Sequence, residues 1–170
     1  MIKAILSGNK VYSTSPEAFS LYEKSRFGEK TGRKIEYSSV ETLFLVQTNK
    51  LSVYQKSKFL DFDSLLKKLK KYDKKIELKL IVFSDLRRKS YIVKTALKFG
   101  AEFRVYDKGI KPGQDHAPWL LQTFLASDKI DWQDFSAKNR VAHSTRKKLL
   151  IAVVDEESSI TYYQISWFKS

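Results

Sequence analysis

Six consecutive apolar residues, Leu149-Leu150-Ile151-Ala152-Val153-Val154, stand without a polar interruption. Side chains alternate between faces along a strand, so a strand with one wet face would carry a polar residue at every second position. The unbroken run is instead the pattern of a strand buried on both faces. This implies a sheet flanked by helices, and the neighbouring segments supply the pieces. Strands are predicted at Tyr91 to Thr95, Phe103 to Tyr106, Pro118 to Leu125 and Ile160 to Phe168, and a mostly polar helix at Trp132 to Ser144.

The amino-terminal half reads differently. Lys3 to Ser13 is predicted as a short hairpin around Ser7-Gly8-Asn9-Lys10. A helix follows from Ser15-Pro16-Glu17, where serine caps and proline takes the first turn. Ser38 with Glu41 fits a capping box for a helix to Val46, and Leu51 to Tyr54 reads as a strand. From Asp61 to Tyr72, Phe62, Leu65, Leu66, Leu69 and Tyr72 recur at helical spacing while Lys67, Lys68, Lys70 and Lys71 cover the other face. The polar seam Asp73-Lys74-Lys75 separates a small mixed α/β module, 1–75, from a second mixed-sheet module, 76–170, which opens on an apolar helix from Ile76 to Arg88. The fold class is α/β (α+β).

Charge narrows the choice of partner. The 170 residues hold 32 Lys and Arg against 19 Asp and Glu, a formal net charge of +13, which argues for a polyanion. The excess is spread over both halves, so no detachable basic tail explains it. Zero cysteines exclude disulfides and thiolate metal sites, and two histidines without a compact carboxylate cluster argue against a dedicated transition-metal or two-metal site. No metal and no cofactor is expected. No window approaches the length of apolar sequence that a membrane span needs, and the amino terminus lacks a leader pattern, so the cytoplasm is the expected compartment and no membrane partner is expected.

Three residues occupy places where reactive groups are uncommon. In Ala101 to Tyr106, Phe103 and Val105 share one face and Arg104 and Tyr106 the other, which predicts a phenol pointing away from the apolar side. His116 follows the turn-rich Gly109-Ile110-Lys111-Pro112-Gly113 and stands at a loop-to-strand junction. Arg146-Lys147-Lys148 opens the buried run, where only one of Lys147 and Lys148 can face a given site and spacing does not say which. A phenol, an imidazole and an ammonium together suggest metal-free cleavage of RNA.

The stretches Ser84-Asp85-Leu86-Arg87-Arg88-Lys89-Ser90-Tyr91 and Lys98-Phe99-Gly100-Ala101-Glu102-Phe103-Arg104-Val105-Tyr106-Asp107-Lys108-Gly109 resemble the archaeal tRNA splicing endonucleases. So do Pro112-Gly113-Gln114-Asp115-His116-Ala117-Pro118-Trp119 and Arg140-Val141-Ala142-His143-Ser144-Thr145-Arg146-Lys147-Lys148. The resemblance covers roughly residues 76–168, whereas 1–75 is similar only in layout. It implies a catalytic triad of Tyr106, His116 and Lys147, choosing the first of the paired lysines, and a nuclease role for the second module with a support and assembly role for the first. It also implies cleavage of precursor tRNA at bulge-helix-bulge junctions, with the ribose 2′-hydroxyl attacking its own 3′-phosphate to leave 2′,3′-cyclic phosphate and 5′-hydroxyl ends.

By the same resemblance Arg140 helps sandwich a flipped base, with Trp167 the candidate for the opposing plate. The acidic turn Asp155-Glu156-Glu157 resembles an assembly loop that enters a basic cleft on another subunit. A tetramer is implied, and the wording His116-Ala117-Pro118-Trp119 leans toward pairing with a non-catalytic paralogue rather than a homotetramer.

Ordinary readings exist for every position. A strand-end tyrosine is commonly an amphipathic boundary residue, paired lysines flanking a buried strand are commonly solvated, and Arg140 suits a surface ion pair. Trp167 suits core or interface packing, His143 a structural partner at a helix end, and the acidic turn a polar hairpin. Two other function classes compete: a non-catalytic RNA-binding or structural subunit of the same assembly, and a metal-dependent DNA nuclease, which lacks the carboxylates that magnesium requires.

Overall fold

The computed structural model describes residues 1–110, 113 and 115–168. Lys111, Pro112 and Gln114, within the turn-rich stretch expected ahead of His116, lie outside the described residues, as do Lys169 and Ser170. The chain divides into two compact units, Met1–Leu80 and Ile81–Ser170.

The first unit contains β1 (Ile2–Ser7), β2 (Lys10–Ser13), α1 (Pro16–Ser25), β3 (Glu29–Thr31), β4 (Lys34–Tyr37), α2 (Ser39–Gln47), β5 (Leu51–Gln55), β6 (Lys58–Leu60) and α3 (Phe62–Lys70). Its sheet runs β3-β4-β2-β1-β5-β6. In β1 the residues Ile2, Ala4 and Leu6 are buried while Lys3, Ile5 and Ser7 are exposed, the period-two signature of a half-covered sheet. The expected caps are present: the Ser15 hydroxyl accepts from the Ala18 N–H, and Ser38 with Glu41 closes a reciprocal capping box. Glu41 is buried, and its carboxylate also accepts the Gly28 N–H at 2.9 Å. Gly28 has φ +79°, and a Cβ there would lie 2.4 Å from Ile35 Cγ2, so a side chain is excluded by backbone and space together.

One expectation needs correction here. The helix expected to reach Tyr72 ends at Lys70, and Tyr72 is exposed. The Tyr72 N–H turns back to the Leu69 carbonyl three residues earlier, a tighter turn that swings the ring off the apolar stripe. Glu29-Lys30-Thr31 and Lys58-Phe59-Leu60 carry almost no periodic signal and become strands β3 and β6 by pairing with β4 and β5, while β4 alternates but is only four residues long.

The second unit contains the carboxyl-terminal part of α4 (Ile76–Arg88), then β7 (Ile92–Ala96), a 3₁₀ turn at Leu97–Phe99, β8 (Ala101–Tyr106), β9 (Trp119–Leu125), α5 (Trp132–Ser144), β10 (Lys148–Val154) and β11 (Ile160–Ile165). The sheet order is β11-β10-β9-β8-β7, with β9 and β10 parallel and joined through α5. One face packs on α4, where the Phe83 and Phe103 rings lie 5.9 Å apart. The other face packs on α5, through a cluster of Leu120, Leu149, Ile151 and Ala142. The strand from Leu149 to Val154 is therefore central and covered on both sides, as its composition requires. The last strand, expected to reach Phe168, ends at Ile165, whose pairing with Leu149 is the final matched pair of the β10–β11 ladder.

Candidate strand-end site

The strand directions bring the three expected site residues to one end of the second sheet. β8 is antiparallel to β9, and β9 is parallel to β10, so the end of β8 coincides with the starts of the other two. Val105 and Lys148 both pair with Trp119, which puts Tyr106 and Lys147 level with Pro118 on either side of it. Strand spacing sets those two backbones roughly 10 Å apart, a gap two long side chains can converge across. His116 lies two residues before Pro118 on the lead-in to the intervening strand, and it is exposed.

Lys147 is tied to this lead-in directly: its Nζ donates to the Ala117 carbonyl at 2.7 Å, and Ala117 is the residue after His116. The ammonium also lies 5.8 Å from the centre of the Phe99 ring. Its proton is held less tightly than that of an ordinary lysine, first because partial burial penalises the charge and second because the Arg104 guanidinium is near. Lys148 is exposed, so the paired lysines diverge as alternation demands. The His116 N–H donates to the Asp115 carboxylate at 2.7 Å, which fixes the backbone where the imidazole departs.

Tyr106 departs from expectation. It shares a face with Arg104, whose guanidinium carbon lies 6.0 Å from the ring centre, but it is only 5% exposed, so the phenol expected to point outward is buried. The polar side of β8 is roofed over at its end, and a strand's alternation reports which face a residue takes, not what covers that face. Arg104 is the residue that sequence reasoning leaves without a role, although its i, i+2 spacing from Tyr106 carries the signal. It adjoins both Tyr106 and Lys147.

Beside this corner an open cleft of about 780 Å³ runs past Arg146, Lys147, Lys148, His143 and Trp167. Trp167 is 47% exposed and stacks on His143, with ring centres 4.0 Å apart and planes 5° from parallel. His143 is thus a packing partner for the tryptophan. Arg140 is exposed one helical turn earlier on α5.

The acidic turn also has an internal order. The Asp155 carboxylate accepts the N–H groups of Glu157 and Ser159 at 2.9 and 2.8 Å, so Asp155 builds the turn. Glu156 and Glu157 are exposed. Among the described residues no group of three or more His, Cys, Asp or Glu side chains is placed to hold a metal ion, and no helix is long and apolar enough to cross a membrane.

Two mixed α/β units, the second with a cationic site at the strand ends, define a class of two-module α/β proteins. The chain belongs to the tRNA intron endonuclease family: residues 76–162 match the model for its catalytic C-terminal domain and residues 2–66 the model for its N-terminal domain. It is 39% identical to a tRNA-splicing endonuclease of Pyrococcus abyssi over 99% of this chain and 98% of the relative. It is 38% identical to one of Methanothermobacter thermautotrophicus over 88% and 86%. A third, from Nanoarchaeum equitans, is 39% identical over 79% of this chain and 90% of its own length.

Proposed function

We propose that the chain is the catalytic subunit of a tRNA-intron endonuclease that cuts precursor tRNA at bulge-helix-bulge junctions without a metal ion. The observation that carries this reading is the shared level of Tyr106, Pro118 and Lys147 across three strands, with Lys147 bonded to the residue that follows His116.

In this mechanism the Tyr106 phenolate removes the proton from the ribose 2′-hydroxyl at the cut site. The freed oxygen attacks the adjacent phosphorus, the bond to the 5′-oxygen of the next nucleotide breaks, and the His116 imidazolium protonates that leaving oxygen. The products are a 2′,3′-cyclic phosphate and a 5′-hydroxyl. The Lys147 ammonium, a compact charge, stabilises the negative charge that grows on the non-bridging oxygens. Arg104 stands over the Tyr106 ring, its guanidinium carbon 6.0 Å from the ring centre, and adds a second positive charge to the site beside that of Lys147. Because Tyr106 is buried in the single chain, RNA entry must move its covering aside, and Arg104 is the group to move.

Arg140 and Trp167 serve as plates for a base turned out of the junction. Glu156 and Glu157 enter a basic cleft on another subunit of a tetramer, one built with a non-catalytic paralogue rather than four copies. Residues 1–75 support that assembly. Incubation with a bulge-helix-bulge RNA in EDTA is expected to give cyclic phosphate ends when the partner subunit is present, and the same incubation of the chain alone tests the need for that partner. A single 2′-deoxy substitution at the cut site is expected to block cleavage and leave binding nearly intact, and cleavage of that RNA would end the mechanism. The burial of Tyr106 favours one competing reading, a non-catalytic RNA-binding subunit, which binding without cutting would select.

A further inference from the structure

The uncovered face of the first sheet carries a row of rings. Ile5 on β1 pairs with Tyr12 on β2 and with Tyr54 on β5, and Tyr54 pairs with Phe59 on β6. Residues directly opposite in a ladder share a face, so Tyr12, Ile5, Tyr54 and Phe59 form one line across four adjacent strands, spanning about 14 Å. Phe59 is 56% exposed and Ile5 49%. The Tyr54 and Phe59 rings meet edge to face at 5.7 Å.

Cations border the row. Lys34 lies 4.7 Å from the centre of the Tyr12 ring, Lys10 pairs with Glu36 at 2.9 Å on the next strand, and Lys3 and Lys56 line an open cleft of about 670 Å³ that also touches Ile5, Tyr12 and Tyr54. The β5–β6 hairpin that presents Phe59 turns through Lys56 and Ser57, at φ 46° and 64°, a two-residue reversal with both residues in the left-handed region.

We infer that this row is a binding platform for single-stranded RNA, separate from the strand-end site. Aromatic residues on neighbouring strands of an open sheet stack about two or three unpaired bases, and every base offers a face to a ring. The lysines at the margin supply the charge a backbone of phosphates needs. A duplex would hide its bases and leave the rings without partners, and an apolar protein partner would cover Lys3 and Lys56, which line the cleft, without supplying an opposite charge. The platform would hold an unpaired segment of the RNA.

The test uses the full chain and a labelled, unstructured oligoadenylate, with binding followed by fluorescence anisotropy over a salt series. Replacing both Tyr54 and Phe59 by Ala is expected to weaken binding by about tenfold or more. Phe59→Trp, which keeps a ring, is expected to retain it. Lys3→Gln with Lys34→Gln is expected to flatten the salt dependence by more than one phosphate contact. Unchanged binding in the double alanine variant would overturn the inference, as would competition by duplex RNA equal to that of the single strand. A change of oligomeric state by light scattering in that variant would also overturn it, assigning the row to a contact between copies of the chain. Cleavage of a short junction RNA by the wild-type chain together with its partner subunit tests the proposed function independently of all these outcomes.

Discussion

The two sheets solve the same packing problem to different depths. In the second unit α4 and α5 cover opposite faces, and the middle strand is apolar throughout, Leu149 to Val154. In the first unit one face is buried through Ile2, Ala4, Leu6, Val11 and Val53 while the other shows Lys3, Ile5, Tyr12 and Tyr54 to solvent. A sheet buried on both sides has no broad face left for a ligand and offers its strand ends instead, where Tyr106, His116 and Lys147 lie and where the proposed chemistry falls. A sheet bare on one side can bind across its surface.

The largest effect separates the two units by function. His116→Ala is expected to lower junction cleavage by about 10²–10⁴-fold, measured as single-turnover rates, whereas Tyr54→Ala with Phe59→Ala should leave cleavage of a short junction within a few-fold. Equal losses in both would erase the distinction.

Next comes packing. Leu121→Ala, at a fully buried position on β9, is expected to cost about 2–5 kcal/mol in urea unfolding. Ile5→Ala on the open face should cost under about 1 kcal/mol, since that side chain is already half in water. Similar midpoint shifts would mean that the first sheet is covered in solution.

A smaller effect concerns charge. Burial first, and Arg104 second, hold the Lys147 proton less tightly than usual, so the ammonium that the proposed mechanism uses is lost at a lower pH than an ordinary lysine would lose it. Arg104→Gln removes one of the two causes and should move the alkaline limb of the cleavage profile to higher pH. In stability the sign is opposite to that of a paired lysine. The unfolded chain binds this proton more tightly, so the charged group disfavours folding below its folded pKa, and the penalty fades as pH rises from that value to the ordinary lysine value of the unfolded chain. A limb that stays in place would detach Arg104 from Lys147.

The smallest is backbone strain. Ser57→Gly in the β5–β6 turn should raise the melting temperature slightly, by less than about 1 kcal/mol of stability, because glycine takes positive φ freely. A fall would show that the serine side chain is held by the hairpin.

Much of this was legible in the residues and some was not. Capping at Ser15 and Ser38 is a contact between near neighbours, and the buried strand is a run of one composition, so both are visible without the fold. The clustering of Tyr106, His116 and Lys147 depends on β8 and β9 running oppositely and β9 and β10 running together, which spacing along the chain does not encode. Its recognition rested on the resemblance. The burial of Tyr106 and the stacking of Trp167 on His143 are decided by what lies over a face, and alternation is silent about that. The aromatic row of the first unit is hidden for a related reason: Tyr12 is far in sequence from Tyr54 and Phe59, and the three line up only through register.

The return path through α5 has a cost at the corner it feeds. The helix finishes at Ser144, just before Lys147, so its carbonyl end, carrying the negative pole of the peptide macrodipole, is what the strand-end site receives. The amide-rich pole that welcomes phosphate elsewhere lies at the far end. An anion entering here is drawn by the side-chain cations against the pole of this helix. Affinity for RNA at this corner should therefore fall steeply with ionic strength, and a neutral residue at Arg104 or Lys147 would gain nothing from α5 in exchange.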